Sequence, residues 1–477
     1  MKGISIRLTQ VIIENFKNVS HGIIDLDNNR KSYKSSILGL YGQNGSGKTA
    51  LIDAIQLLKI NLMGQPVPHV FGEYVSIGTQ SSHFSFSFDA KKEEESYQLK
   101  YEFCIRKVLD HSVQNLDQSG NNPIVQEKTR VEVYNEIFSC SYAGDGKRDK
   151  IAPIIQTEID DVFSPNSKYL LLVGKEKTIK TDLLVAKKLA QSTSRSFVFS
   201  SELLNTIRSN KDAENLVDYS IYSSLIDALV NYGNFELFVI NTQNSGLISL
   251  NAQPFNFKYE MGNSNAIGSI MLPLDKPITV PKEEVDVIKK IMDSMNVVLT
   301  KIIPGLTVRL KELGNQLLPN GNIGERIQLI SDKNGISIPL CYESEGIKKI
   351  ISILQLLTVM FNQQSITVAI DELDSGIFEY LLGELLRIIS EKGKGQLIFT
   401  SHNLRPLETI DKGFIAFTTT NPKNRYIRLV NVKGTNNLRD FYYRDIVLGE
   451  KNEELYDSTH NAEIALSFRE AGEFHAP

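Results

Sequence analysis

The chain has 477 residues, 41% hydrophobic and 23% charged, with a formal net charge of -4. That length suits two or three units at roughly 100–200 residues each, and the near-neutral balance removes any global electrostatic case for nucleic acid. Cys104, Cys140 and Cys341 stand far apart without a CxxC pair, which argues against a disulfide framework or a zinc site. Residues 1–9 lack a signal-peptide core and no run approaches the ~18–20 apolar residues of a bilayer span, so a cytoplasmic protein with no membrane partner is expected.

Residues 6–27 alternate apolar and polar side chains around Val11, Ile12, Ile13, Phe16, Val19, Ile23, Ile24 and Leu26, as two half-buried strands would. A polar turn, 27–36, leads into the apolar run 37–41, a predicted buried strand. It feeds GQNGSGKT, and Ala50, Leu51, Ala54, Ile55, Leu57 and Leu58 then recur at helical spacing. The runs 83–88, 97–106 and 129–138 read as an antiparallel meander. From about residue 155 the character changes to helical stretches, 179–190 and 200–207, followed by a mixed region through 251 that looks like an insertion.

Residues 283–302 form the clearest amphipathic helix, with Val285, Ile288, Met292, Met295, Leu299 and Ile302 on one stripe and Pro304-Gly305 ending it. A packed core helix is the plain reading. Strands at 306–311 and 326–331 lead to Tyr342-Glu-Ser-Glu-Gly346, where a helix carrying Ile350, Ile351, Leu354 and Leu357 begins. The runs 366–370 and 396–400 are continuously apolar, end in Asp371-Glu372 and Ser401-His402, and read as central parallel strands with a helix at 378–391 between them. Residues 403–477 are polar and mixed. No repeat of fixed period and no long coiled coil is present.

The chemistry concentrates at residues 42–49. Gly42, Gly47, Lys48 and Thr49 satisfy the phosphate-loop pattern GxxxxGK[ST]. Glycines at 42, 45 and 47 let the N–H groups of Gln43, Asn44, Gly45, Ser46 and Gly47 turn toward phosphates, while Lys48 reaches the β and γ oxygens and Thr49 offers a hydroxyl to Mg²⁺. Asp371 ends a buried strand, where a carboxylate is costly unless it meets a cation or donor; Glu372 follows, placed to orient and deprotonate a water. An acidic helix cap is the alternative. His402 is either a sensor of a terminal phosphate or a structural histidine. Ser344 and Gly346 open a helix that offers a hydroxyl and N–H groups to a phosphate, or simply cap it.

Taken in order, GQNGSGKT, Ser344 to Gly346, Asp371-Glu372, Asp374-Ser375 and Ser401-His402 resemble an ABC-type ATPase head of the RecF and SMC-like branch, with ENFKN at 14–18 matching that branch's opening strand and turn. Within it the chain is most similar to the compact AAA-type ATPases of bacterial abortive-infection and phage-defence systems, including OLD-, Septu- and PARIS-like ATPases. The resemblance covers roughly 1–140 and 300–430. It implies an α/β P-loop head with an antiparallel β-subdomain and a mostly helical insertion, divided as 1–150, 151–300 and 301–477. It also implies ATP and Mg²⁺ as cofactors, Thr49 and Asp371 at the metal, Glu372 as base, Asp374 in the D-loop and His402 in the switch loop. Ser344 and Gly346 fall on the signature motif, although Glu345 stands at its first glycine and Ile347 at its glutamine. Gln80 is the candidate for the Q-loop.

Because signature and P-loop occur once each, and heads of this type close each other's sites, a homodimer or an assembly of dimers is expected. About 75 residues follow His402 and show no convincing DxD pair, so a separate effector, nuclease or toxin, is the economical partner. Residues 168–208 carry eight Lys or Arg against three Asp or Glu, a possible DNA-facing strip or a solvated face. Three functions stay open: a defence ATPase, a RecF-like clamp on DNA, and an ATP-gated scaffold with little turnover.

Overall fold

In the computed structural model, residues 4–26, 36–93, 95–109, 129–144, 147–210, 213, 215–241, 252–261, 264–274, 276–319, 321–428, 437–448, 454–457 and 460–473 are described. Residues 27–35 of the polar turn and part of the mixed region expected through 251 lie outside them. Period-two burial builds the first lobe. Ser5–Phe16 and Val19–Asp25 pair antiparallel, and the meander follows as Ser82–Lys92, Glu95–Leu109 and Thr129–Gly144. The sheet runs in the order Val19–Asp25, Ser5–Phe16, Ser82–Lys92, Glu95–Leu109, Thr129–Gly144, with Lys147–Arg148 and Ala152–Gln156 both on the last of these.

The second sheet holds the predicted central strands. Its order is Tyr426–Ile427, Ile415–Thr418, Ser36–Tyr41, Gln396–Thr400, Thr367–Ile370, Leu237–Ile240, parallel throughout except for the Tyr426–Ile427 edge. Every residue of Ser36–Tyr41 is buried, as a strand covered on both faces requires. Alternate side chains enter two separate apolar clusters. Leu38, Leu40, Ala369, Ile398 and Ala416 join the antiparallel sheet and the helix Lys48–Leu62. Ile37, Tyr41, Val368, Ile370, Phe399 and Phe417 join the helices Lys282–Ile302, Glu345–Asn362 and Glu379–Lys392. A four-stranded sheet built on Leu306–Leu317 and Ile323–Lys333 completes that side.

The architecture is the α/β P-loop head with an antiparallel sheet and inserted helices. The inserted helices do not form a core of their own. Leu183, Ala186 and Ala190 of Lys177–Ser192, and Leu203 and Ile207 of Ser201–Arg208, lie in the same cluster as Phe84, Phe86 and Tyr101 of the antiparallel sheet; their stripes are too narrow to bury one another. Leu237–Ile240 becomes an edge strand of the parallel sheet and Lys282–Ile302 serves the second cluster. Of the expected stripe, Val285, Ile288, Met292, Met295 and Leu299 are buried and Ile302 is half-buried, which supports the core-helix reading. The polar C-terminal region supplies two strands, Ile415–Thr418 directly beside the P-loop strand and Tyr426–Ile427 outside it at the edge. At four and two residues they are too short for periodicity to detect. Among the described residues no helix is long and apolar enough to cross a membrane.

Candidate active site

The loop between Tyr41 and Lys48 is dictated by its glycines. Gly42 has φ 154° and a Cβ placed there would fall 1.7 Å from Thr418 Oγ1, so no other residue fits. Lys48 is buried, and its ammonium donates to the carbonyls of Gly42 at 2.8 Å and Gln43 at 2.9 Å, closing the loop on itself. Ser46 donates to the Gln43 carbonyl at 2.6 Å. Asn44 and Gly45 are exposed at the tip, while Thr49 is half-buried on the first helical turn. Gly47 precedes Lys48–Leu62 with no capping side chain and no acidic residue in the first turn. The first N–H groups of that helix therefore remain available to an anion.

A tier of residues missed in the sequence holds this loop from below. Thr418 shares a hydrogen bond with Ser46 Oγ at 2.5 Å. The buried Tyr426 hydroxyl donates to Gly47 O at 2.9 Å. Arg425 lays its stem on Gly47 and donates to the carbonyls of Thr419 and Asn18. Gln43 Oε1 accepts from the Asp457 N–H at 2.9 Å. All come from the C-terminal region, where no motif flagged them.

Asp371 stands at the end of Thr367–Ile370, 1% exposed. Its Oδ1 accepts from Thr400 Oγ1 at 2.5 Å, and its Oδ2 is buried with no hydrogen-bond partner. An unmatched buried carboxylate oxygen costs about 1–3 kcal/mol or more, so the donor set fits a cation reached directly or through water. Among the described residues no group of three His, Cys, Asp or Glu is gathered that would hold a metal by itself. Burial draws the Lys48 ammonium below the usual lysine range, and Asp371, Glu372 and Asp374 pull it back. The P-loop lysine and these three carboxylates therefore share one electrostatic site within the chain.

Glu372 has φ 50°, in the left-handed region, which costs a non-glycine residue roughly 1–3 kcal/mol. Thr400 Oγ1 accepts from its N–H at 2.7 Å, so one hydroxyl fixes both acidic residues. That threonine was legible in principle: it ends the strand whose Phe399 pairs with Ile370. Asp374 Oδ2 accepts from the N–H groups of His402 at 3.1 Å and Asn403 at 2.9 Å, which seats the predicted switch histidine beside the turn after Glu372, with His402 itself exposed.

Ser344 is an exposed N-cap whose hydroxyl accepts from Ile347 N at 3.3 Å. Gly346 is buried against Gly376, where an added Cβ would fall 1.9 Å from the Gly376 carbonyl oxygen. The structure thus joins Ser344 and Gly346 to the Asp374–Gly376 turn. Lys349, one helical turn from Gly346, is buried with Nζ 3.4 Å from Glu372 O. Gln80 is exposed on the loop ahead of Ser82–Lys92. Within the basic strip, Lys168 donates to Tyr222, Lys180 pairs with Asp161, Arg208 pairs with Asp227, and buried Lys187 donates to three carbonyls. Half of the eight cations are therefore engaged inside the chain.

A family profile for an AAA ATPase domain matches residues 7–405. No curated protein matches the sequence. Among solved structures the chain is similar to the SMC head domain from Thermotoga maritima, at 13% identity and TM-score 0.36 over 89% of this chain and 99% of that one. It is also similar to an SMC head bound to the C-winged helix domain of ScpA, at 10% identity and TM-score 0.39 over 89% and 98%. A third is the recombination mediator protein RecF in the structure RecF-ATPrS, at 14% identity and TM-score 0.35 over 89% and 99%.

Proposed function

The chain belongs to the AAA ATPase domain family, and from that premise we propose that it hydrolyses ATP in a composite site, the P-loop of one copy closed by the Ser344–Gly346 helix start of a second. The observation that carries the reading is the buried, unmatched Oδ2 of Asp371 within the field of Lys48. The backbone of 42–47 and the N-terminus of Lys48–Leu62 bind phosphates, and Lys48 leaves its loop carbonyls to neutralise the β and γ oxygens. The Thr49 hydroxyl and Asp371, directly or through water, would hold Mg²⁺, which would supply charge neutralisation for the phosphates. Glu372 orients the attacking water and takes its proton. His402 donates to the terminal phosphate, and its tie to Asp374 relays that contact to the turn packed on Gly346.

The test is a Glu372→Gln variant. Hydrolysis should fall by about 100-fold or more, and dimers should accumulate on addition of ATP with Mg²⁺, measured by light scattering after size exclusion. Association that ignores nucleotide would sink the composite site. At the level of the cell, the chain is read as the regulatory ATPase of an anti-phage, abortive-infection system acting with a separate effector. The support is the motif set with its altered signature, Glu345 and Ile347. Purification of the native complex should bring down a nuclease or toxin; hydrolysis stimulated by duplex DNA with no companion protein would favour the RecF-like clamp instead.

A further inference from the structure

Lys349 lies on the first turns of Glu345–Asn362 and is 4% exposed. Lysine is almost never so buried without a partner of opposite sign or a set of acceptors. Here burial pushes its ammonium below the usual lysine range, and the charges of Glu372, Asp374 and Asp371 pull it back. Nζ reaches toward the Glu372 carbonyl oxygen at 3.4 Å, while the N–H of the same residue is held by Thr400 at 2.7 Å. Both ends of a residue with φ 50° are thus tied, one to the neighbouring strand and one to the helix that begins at Ser344. Gly346 and Gly376 touch on the same side of that helix, so the start of the helix and the loop after Glu372 are joined by a steric contact and an electrostatic one.

We propose that Lys349 is a positioning residue for Glu372: its ammonium holds the Glu372 backbone in the left-handed conformation that aims the carboxylate, and transmits the position of the Ser344–Gly346 helix start to the base of the same chain. The inference rests on the ATPase reading above. It makes each base answer to the contacts its own helix start makes, so a chain whose helix start is engaged has an aligned Glu372 and a free one does not.

The experiment is steady-state ATP hydrolysis by Lys349→Met, Lys349→Gln and Lys349→Arg, with thermal melting and ATP-dependent dimerisation on the same samples. Loss of alignment should lower kcat by about 10- to 100-fold with KM for ATP within about two-fold. ATP-dependent dimerisation should persist, and Lys349→Arg, which keeps the charge, should recover at least a third of the lost rate. Lys349→Gln keeps an N–H donor for the Glu372 carbonyl without the charge, and carries the same kcat test if Lys349→Met does not fold. Wild-type kcat in either neutral variant would overturn the inference, as would a fall in kcat and in dimerisation together that arginine does not rescue. A wild-type chain that hydrolyses no faster than Glu372→Gln would instead overturn the ATPase reading on which it rests.

Discussion

Glu136 in the antiparallel lobe and Asp371 at the end of the parallel sheet are both buried carboxylates, 2% and 1% exposed, and the two regions treat them in opposite ways. Glu136 accepts from the Tyr101 hydroxyl at 2.7 Å and from Ser196 on one oxygen, and from the Phe197 N–H at 2.8 Å on the other. Burial pushes its carboxyl above the usual range and these donors pull it back. Asp371 has one oxygen met by Thr400 and the other left bare. A carboxylate saturated by its own chain ties elements together; one left half-saturated at a strand end has an oxygen open to a group from outside, as the proposed cation role requires. Burial alone does not separate the two, whereas the count of partners on each oxygen does.

That contrast is open to direct attack. Asp371→Asn keeps the shape and removes the charge, so hydrolysis should drop by about 1000-fold while the melting temperature holds or rises, read from phosphate release and thermal unfolding. A variant that loses stability along with activity would make Asp371 a structural group like Glu136. The converse change, Glu136→Ala, strands the Tyr101 and Ser196 hydroxyls and the Phe197 N–H. It should cost about 3 kcal/mol in denaturant unfolding with near-normal turnover per folded molecule; loss of turnover without loss of stability would place Glu136 in the chemistry. Thr400→Val takes the donor from Asp371 and the acceptor from the Glu372 N–H. It should lower both quantities modestly, by about 10-fold in rate and about 1–2 kcal/mol in stability, and a change in only one would show that Thr400 serves only one of its two neighbours.

What could be read in advance follows from the range of the interaction. The P-loop lies within eight residues, and the strands of the meander announce themselves by local alternation; Asp371 and Glu372 are marked by an apolar run that ends in acid. The helix at Lys282–Ile302 was legible for the same reason, an apolar stripe of six residues, five of them buried, in 21 positions. Thr418, Arg425 and Tyr426 were not, because they act on residues 42–49 from more than 370 positions away; Thr418 and Tyr426 sit on strands of four and two residues, and Arg425 just ahead of the second. Lys349 carries no sequence pattern that marks it, although it and its neighbour Lys348 are both buried. Of the helices between 166 and 231, Lys177–Ser192 and Ser201–Arg208 were visible as helices and Asn166–Leu172 and Val217–Asn231 were not; the surface the visible pair covers belongs to a sheet formed by distant segments.

The hairpin beneath the P-loop has a consequence for how the protein is made. Tyr426 meets Gly47 across 379 positions of chain, and Ile415–Thr418 covers the flank of Ser36–Tyr41 that would otherwise be an open edge. At roughly 5–20 residues per second of synthesis, the glycine-rich loop leaves the ribosome tens of seconds before the residues that set its floor. During that interval the strand at 36–41 offers unpaired N–H and C=O groups to any passing strand. The nascent protein therefore depends on other contacts, or on chaperones, to guard that edge until residues 415–427 emerge.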